Sequence, residues 1–147
     1  MEIAILGLGC FWGPEIKFSK LDGVVKTEVG YCGGNNSETT YKEVCTGTTN
    51  HAEVVKLDFD PKIISYEKII RFFYEIHDPT TLNSQGPDFG TQYRSEIFYF
   101  NNKQKDIAEK IIEEKNDQLS GKVKTKISLV KNYCPAEEYH QKYFEKR

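Results

Sequence analysis

Two short segments with strictly alternating side chains limit the fold more than any other feature of the sequence. In residues 25–31 and 55–60, every second position is apolar, aromatic or β-branched, and the positions between are charged or glycine. A period of two places alternate side chains on opposite faces, so each segment predicts a β-strand with one buried face. Pro61 ends the second strand, because proline has no N–H for the sheet ladder.

Helical patterns separate these strands from further strand-like segments. Ser65 can cap a helix, and the Ile69, Phe72, Phe73 and Ile76 that follow it have the spacing of one helix face. Weaker patterns predict strands or helices at residues 2–8, 14–21, 96–100, 107–120 and 123–129, with a polar tail beyond them. This order, with few βαβ repeats, predicts an α+β fold: a two-layer sandwich with a mixed sheet, flanking helices and a ferredoxin-like core. The 147 residues fit a single domain.

Charge and apolar content narrow the possible partners. The 20 basic and 22 acidic residues are interleaved along the chain and leave a net charge of −2, so we expect no nucleic-acid or membrane partner. The apolar stretch at residues 3–8 is far shorter than the ~20 residues of a membrane span, and Glu2 argues against a signal peptide. We therefore expect a cytoplasmic protein, and we expect it to be a monomer.

Cys10 occupies the position best suited to a reactive thiol. It lies between the strand at 2–8 and Pro14, a residue favoured in the first turn of a helix, and the positive helix end is expected to lower its pKa. A free cysteine at a strand end is more often a small buried apolar residue, so position alone does not establish a nucleophile. Phe11 and Trp12 either form the walls of an apolar binding site or fill the core.

The segment from residue 78 to residue 93 forms a long loop in this interpretation. It lacks periodicity and is rich in Pro, Gly, Asn, Ser and Thr. A loop of this length inside a small domain usually has a functional role, so we expect it to contribute to a site.

The string Gly-Cys-Phe-Trp-Gly at residues 9–13 resembles the active-site signature of the peptide methionine sulfoxide reductase A family. Further segments similar to that family follow in the family order, at residues 30–34, 40–44, 51–53, 64–66, 77–80, 85–88, 90–95 and 136–141. Because these ordered segments span nearly the whole chain, the sequence is identified as a member of the family.

The resemblance implies reduction of the S epimer of methionine sulfoxide, free or peptide-bound, in the repair of oxidised proteins. In the family, the residue matching Cys10 attacks the sulfoxide sulfur, releases methionine and is left as a sulfenic acid. The same match assigns proton donation to Glu53, with Tyr41 and Tyr93 as hydrogen-bond donors and Asp88 nearby. A carboxyl group facing an aromatic pocket should have a raised pKa, which suits this acid role.

The reducing half of the cycle departs from the family pattern. Many members carry resolving cysteines on a tail after the segment at 136–141, whereas this chain has no cysteine after Cys134. Cys134, Cys32 or Cys45 therefore resolves the sulfenic acid, or an external thiol reduces it directly. We favour the external route, with thioredoxin, glutaredoxin or dithiothreitol as reductant and with no bound cofactor or metal.

Two further positions depart from the family pattern. Asn50 replaces a glycine of the family and is expected to keep a left-handed turn, and Ser84 replaces a basic residue and is expected to affect which protein substrates bind.

A cysteine hydrolase would need His51 or His140 as a base, although we expect both, like His77, to be structural. A non-catalytic module that binds methionine side chains is the other alternative.

Overall fold

The computed structural model describes residues 1–146 of the chain. The strands are β1 (Glu2–Leu8), β2 (Val24–Cys32), β3 (Ala52–Phe59), β4 (Ser84–Gln85), β5 (Asp88–Phe89), β6 (Ser95–Tyr99), β7 (Lys126–Leu129) and β8 (Cys134–Pro135). The helices are α1 (Trp12–Ser19), α2 (Tyr41–Val44), α3 (Tyr66–Glu75) and α4 (Asn102–Gln118), with 3₁₀ turns at Thr91–Tyr93 and Glu138–His140. No helix in residues 1–146 combines the length and apolar character needed to cross a membrane.

Six of the strands form one sheet in the order β7-β6-β1-β3-β2-β8. Neighbouring strands run antiparallel except β6 and β7, which are parallel and are joined through α4. This mixed sheet confirms the predicted α+β class. The central order β6-β1-β3-β2, with alternating directions, is compatible with the ferredoxin-like core, which stays a prediction.

The main core lies between the helices and one face of the sheet. Ala4, Leu6 and Leu8 of β1 point to that face, as do Val55 and Leu57 of β3, and all five are buried. They pack against apolar side chains of α1, α3 and α4, namely Phe18, Ile69, Ile70, Phe73, Ala108 and Ile111. Full burial of such a side chain stabilises the fold by roughly 1.5–3 kcal/mol, so the alternating pattern dictates which face the helices cover.

Helix α3 forms where its pattern predicts. The Ser65 side chain accepts a hydrogen bond from the Lys68 amide at 3.1 Å, as an N-cap does. The apolar face made by Ile69, Ile70 and Phe73 is buried, and the helix ends at Glu75, before the proline at position 79.

Helix α1 begins two residues earlier than the sequence predicts. Phe11 already has helical backbone angles, and its carbonyl accepts a hydrogen bond from the Glu15 amide at 3.1 Å. Pro14 therefore lies within the first turn, where its missing N–H has no helical acceptor to bond. The helix also ends early, at Ser19, so Cys10 lies two residues before the first helical residue.

Three other segments differ from the prediction. Residues 123–125 lie outside the β7 ladder, since the Lys124 amide bonds to the carbonyl of Pro79 at 2.7 Å. The loop at 78–93 contains the short β4-β5 hairpin and a 3₁₀ turn. The tail is not simply a polar extension, because Gln141 bonds to both the amide and the carbonyl of Val29 at 2.9 Å. The first and third differences come from contacts with distant segments, whereas the hairpin pairs residues that are close in the sequence.

Candidate active site

Cys10 lies in the turn between β1 and α1, with its side chain partly exposed. Gly9 has a φ of +97°, and a Cβ atom there would lie 2.7 Å from the side chain of Gln85. Glycine at position 9 thus lets the β4-β5 loop approach the cysteine closely. The Trp12 amide donates a hydrogen bond to the Cys10 sulfur.

Glu53 brings a buried carboxyl group to the same place. It lies on β3 and is 1% exposed, and its Oε1 accepts a hydrogen bond from the Phe11 amide at 3.3 Å. Its Oε2 is buried and has no hydrogen-bond partner within residues 1–146. Burial raises the pKa of Glu53 from its ordinary value of 4.5 to about 8, the Phe11 bond opposes this shift, and the charge of Asp88 adds to it. The predicted raised pKa of Glu53 is confirmed.

The pKa of Cys10 is raised, and the prediction that the helix end would lower it is wrong. Burial raises the pKa of Cys10 from 9.0 to about 11, and the hydrogen bond from the Trp12 amide opposes the shift only in part. The negative charges of Glu53 and Asp88 raise the pKa of Cys10 further. Desolvation and two acidic neighbours therefore outweigh the favourable helix end.

Two tyrosines lie beside these groups. Tyr41 begins α2 and Tyr93 ends a 3₁₀ turn, and their side chains interact with each other. Tyr41 also interacts with Cys45, one helical turn further on. Desolvation, together with the charge of Glu53, raises the pKa of Tyr93 to about 12 and that of Tyr41 further, so both hydroxyls keep their protons.

Glu137 positions the tyrosine side of the site, a role that the sequence did not suggest. Its Oε2 accepts from the Tyr41 amide at 3.0 Å, and its Oε1 accepts from the Tyr31 hydroxyl at 2.8 Å. These bonds join the tail to both α2 and β2. The segment at 136–141 resembles the family, but only the folded chain shows that the Glu137 carboxylate accepts from the backbone of Tyr41.

Phe11 and Trp12 differ in exposure. Phe11 is 1% exposed, and its ring lies 5.8 Å from that of Tyr31, so it supports the site from within the core. Trp12 is half-buried; its indole N–H donates to Nδ1 of His140 at 3.1 Å, and its ring stacks on Tyr143 at 3.9 Å. Trp12 is therefore the more accessible of the two predicted walls.

None of the three histidines, all within the described residues, is bonded to Cys10. The Nδ1 atom of His51 accepts from the Gly34 amide at 3.1 Å, and its Nε2 donates to a loop carbonyl. His77 bonds through both ring nitrogens, and Nε2 of His140 is buried without a hydrogen-bond partner. A Cys-His dyad is therefore not formed by this site.

The remaining cysteines lie in different surroundings. Cys32 is fully buried on the opposite face of the sheet, where its thiol bonds to the carbonyl of Lys131 at 3.4 Å. Cys134 is on the edge strand β8, and Cys45 is exposed at the end of α2. No group of three His, Cys, Asp or Glu side chains suited to a metal occurs in residues 1–146. Asn50 has a φ of 62°, which confirms the predicted left-handed turn.

The site therefore combines a thiol, a neutral carboxylic acid and two phenol donors. Such a set can attack a polarised atom and protonate an oxygen leaving from it, because the acid keeps its proton near neutral pH. The family model described as peptide methionine sulfoxide reductase matches residues 2–147 of the chain.

Individual proteins show the same similarity. The chain is 79% identical to the peptide methionine sulfoxide reductase MsrA of Pelagibacter ubique, over 147 residues and all of both chains. Its structure is similar to that of Mxr1 from Saccharomyces cerevisiae in reduced form, with a TM-score of 0.95, 42% identity and coverage of 99% of this chain and 85% of that one. Mxr1 in complex with Trx2 is also similar, with a TM-score of 0.69, 28% identity and coverage of 97% and 84%.

Proposed function

The chain belongs to the peptide methionine sulfoxide reductase family and reduces methionine sulfoxide, and we propose that Cys10 attacks the sulfoxide sulfur while Glu53 protonates its oxygen. The family assignment makes the protein an oxidoreductase that acts on a sulfur group. The roles of individual residues are our proposal.

The observation that supports this proposal most strongly is the burial and protonation of the Glu53 carboxyl group. Its carboxyl is buried beside the Cys10 turn, its pKa is raised to about 8, and its Oε2 has no hydrogen-bond partner within residues 1–146. A sulfoxide oxygen leaves poorly unless it is protonated, so a neutral acid with a free oxygen next to the thiol is the required group.

The first half-reaction transfers the oxygen atom from substrate to enzyme. The Cys10 sulfur bonds to the sulfoxide sulfur, and the protonated oxygen then forms a bond to the Cys10 sulfur while its bond to the substrate sulfur and the new S–S bond both break. The products are methionine and a Cys10 sulfenic acid. The substrate sulfur is reduced by two electrons and the Cys10 sulfur is oxidised by two. Binding of the sulfoxide next to Cys10 favours loss of the thiol proton, because Glu53 is then neutral and a positive charge is developing on the substrate sulfur.

Tyr41, Tyr93 and Asp88 complete the proposed site. Both phenol hydroxyls keep their protons, so each can donate a hydrogen bond to a substrate oxygen. Asp88 acts through its charge, which favours the protonated form of Glu53. We propose Trp12, with Phe11 behind it, as the wall that contacts the methyl group of the substrate.

We propose the S epimer as substrate, both free and within oxidised proteins, and thioredoxin as the reductant, with glutaredoxin as the alternative. The structure of Mxr1 with Trx2 supports a thioredoxin. We further propose that the protein acts as a cytoplasmic monomer without a bound cofactor, in the repair of proteins after oxidative stress.

One assay tests these roles. Wild type, Cys10→Ser and Glu53→Ala are each mixed with a methionine sulfoxide peptide and dithiothreitol, and methionine formation is followed by the loss of one oxygen in the mass spectrum. We expect no turnover for Cys10→Ser and a loss of about 10²- to 10⁴-fold for Glu53→Ala, the usual contribution of a general acid.

The control is Glu113→Ala, at an exposed position of α4, and we expect it to keep the wild-type rate. Wild-type activity in Glu53→Ala would remove Glu53 from the mechanism. Methionine formation by Cys10→Ser would exclude Cys10 as the nucleophile. A binding module would retain the peptide without converting it.

A further inference from the structure

We propose that Cys45 is the internal resolving thiol, which forms a disulfide with Cys10 after each turnover. The inference rests on the proposed function, because it requires the Cys10 sulfenic acid as its substrate. It goes beyond that function by selecting one of the three other cysteines.

The helical turn of α2 directs Cys45 toward the site. The Cys45 amide bonds to the carbonyl of Tyr41 at 2.9 Å, so the two residues are i and i+4 and their side chains lie on the same face. The Tyr41 side chain interacts with Cys45 as well as with Tyr93. Cys45 therefore lies beside the proposed donors.

Electrostatic interactions place the two thiols in the same neighbourhood. A negative charge on Cys45 interacts with Cys10, and the charge of Glu53 acts on both thiols. Burial raises the pKa of Cys45, and the interaction with Tyr41 opposes that shift. Tyr41 therefore favours the thiolate of Cys45, the form that attacks a sulfenic acid.

The other two cysteines are less suited to this step. Cys32 is 0% exposed and lies on the sheet face that is opposite to the helices, so reaching Cys10 would disrupt the sheet. Cys134 belongs to a strand of the sheet and is paired in register with Tyr31 on β2, so its backbone is held at the sheet edge. Cys45, by contrast, is exposed and lies outside the sheet.

Cys45 follows directly after the part of α2 that is held in the core. The beginning of the helix is held by the Thr40 cap and by the bond from the Tyr41 amide to Glu137. Val44 at its end is buried in the core, whereas Cys45 and the residues that lead to the turn at Gly47, which has a φ of +76°, are exposed. Movement confined to this exposed segment can bring Cys45 to the short Cα separation that a disulfide requires while Val44 stays in place.

The proposed step balances in atoms and electrons. The Cys45 thiolate attacks the sulfur of the Cys10 sulfenic acid, the S–S bond forms, and the sulfenic oxygen leaves as water after taking up a proton. Cys45 is oxidised as the Cys10 sulfur is reduced from sulfenic acid to disulfide. A dithiol protein such as thioredoxin then reduces the disulfide and restores both thiols.

The test is a peptide map of the full chain after oxidation by its substrate. The reduced protein is mixed with excess methionine sulfoxide peptide without reductant, blocked with N-ethylmaleimide, digested and analysed by mass spectrometry. We expect one methionine per chain, a peptide that joins Cys10 to Cys45, and the loss of two of the four free thiols.

Two serine variants sharpen the test. In Cys45→Ser we expect the joined peptide to disappear and Cys10 to be trapped by dimedone as a sulfenic acid, with most of the thioredoxin-dependent turnover lost. In the matched control Cys134→Ser we expect the Cys10–Cys45 peptide to persist.

The possible failures are distinct. Absence of methionine in the wild type would overturn the proposed function itself. Formation of methionine together with a Cys10–Cys134 peptide, a Cys10–Cys32 peptide or an unlinked sulfenic acid would overturn only the assignment of Cys45. The wild-type map gives this answer even if a variant fails to fold.

Discussion

At the scale of single residues, the site contains one carboxyl group, that of Glu53, which burial keeps protonated near neutral pH. Glu53 is surrounded by protein and, among residues 1–146, receives only one hydrogen bond, from the Phe11 amide. Ionising it would place an unpaired charge in a poorly polarisable interior, so its pKa rises to about 8. The same burial that makes Glu53 a suitable acid must therefore reduce stability at high pH.

The Glu53→Gln variant tests this consequence. Between about pH 4.5 and pH 8, Glu53 is ionised in the unfolded chain and protonated in the folded one, so the unfolded state binds fewer protons and wild-type stability falls as pH rises. Glutamine lacks this ionisation. We expect the stability of Glu53→Gln relative to wild type to increase over this range by on the order of 4 kcal/mol, since one pKa unit corresponds to about 1.4 kcal/mol.

Urea denaturation at a series of pH values gives the measurement. A stability difference between Glu53→Gln and wild type that stays constant from pH 5 to about pH 8 would show that Glu53 titrates like an exposed glutamate. The proposed acid role would then lack its physical basis.

At the scale of elements, the position of α1 depends on a buried glutamate. Glu15 is 2% exposed, and its carboxylate accepts from the Thr27 hydroxyl at 2.9 Å and from the Lys142 amide at 2.6 Å. These bonds join α1 to β2 and to the tail. Because the turn that carries Cys10 precedes α1, the same bonds help to set the orientation of the site.

We expect Glu15→Ala to destabilise the protein by about 2–4 kcal/mol, because the Thr27 hydroxyl and the Lys142 amide would lose a charged acceptor inside the fold. Glu15→Gln keeps one acceptor oxygen and should lose less. The free energy of unfolding from urea titration at neutral pH tests both variants. Wild-type stability in Glu15→Ala would show that water replaces the carboxylate.

At the scale of the whole molecule, one arginine joins three segments that meet near the site. The Arg94 guanidinium donates to Glu96 at 2.5 Å, to the carbonyl of Thr91 at 2.9 Å and to the carbonyl of Asn50 at 2.8 Å. These partners belong to β6, to the turn that carries Tyr93 and to the segment before β3. The planar fork of arginine suits this set of acceptors, whereas an ammonium group does not.

We expect Arg94→Lys to lower the free energy of unfolding by about 2–4 kcal/mol, because it leaves the buried Glu96 and two carbonyls poorly paired. Arg71→Lys is the matched control: Arg71 pairs with Glu67 and Glu114 on the surface, where such pairs contribute little. Thermal and urea denaturation compare the two variants. Equal effects would show that Arg94 does not join the segments.

Local sequence signals predicted the parts of the fold that local physics controls. The alternation of Val55 and Leu57 with charged residues predicted the buried face of β3, and the apolar spacing after Ser65 predicted α3. Helix α2 was missed because four residues are too few to show a helical period. The packing of the tail was missed because its residues are polar and their partners are distant.

The sequence by itself determined the family, the strand faces and the candidates Cys10, Glu53, Tyr41 and Tyr93, because these depend on residue identity and local order. Only the tertiary structure decided the pKa values of these side chains and the groups that surround them. The Phe11–Glu53 bond crosses 42 positions of the chain, and the pKa of Cys10 depends on charges and burial supplied by other segments. Desolvation and electrostatic interaction depend on distance in space, so a linear pattern predicted a thiol with a lowered pKa where the folded chain raises it.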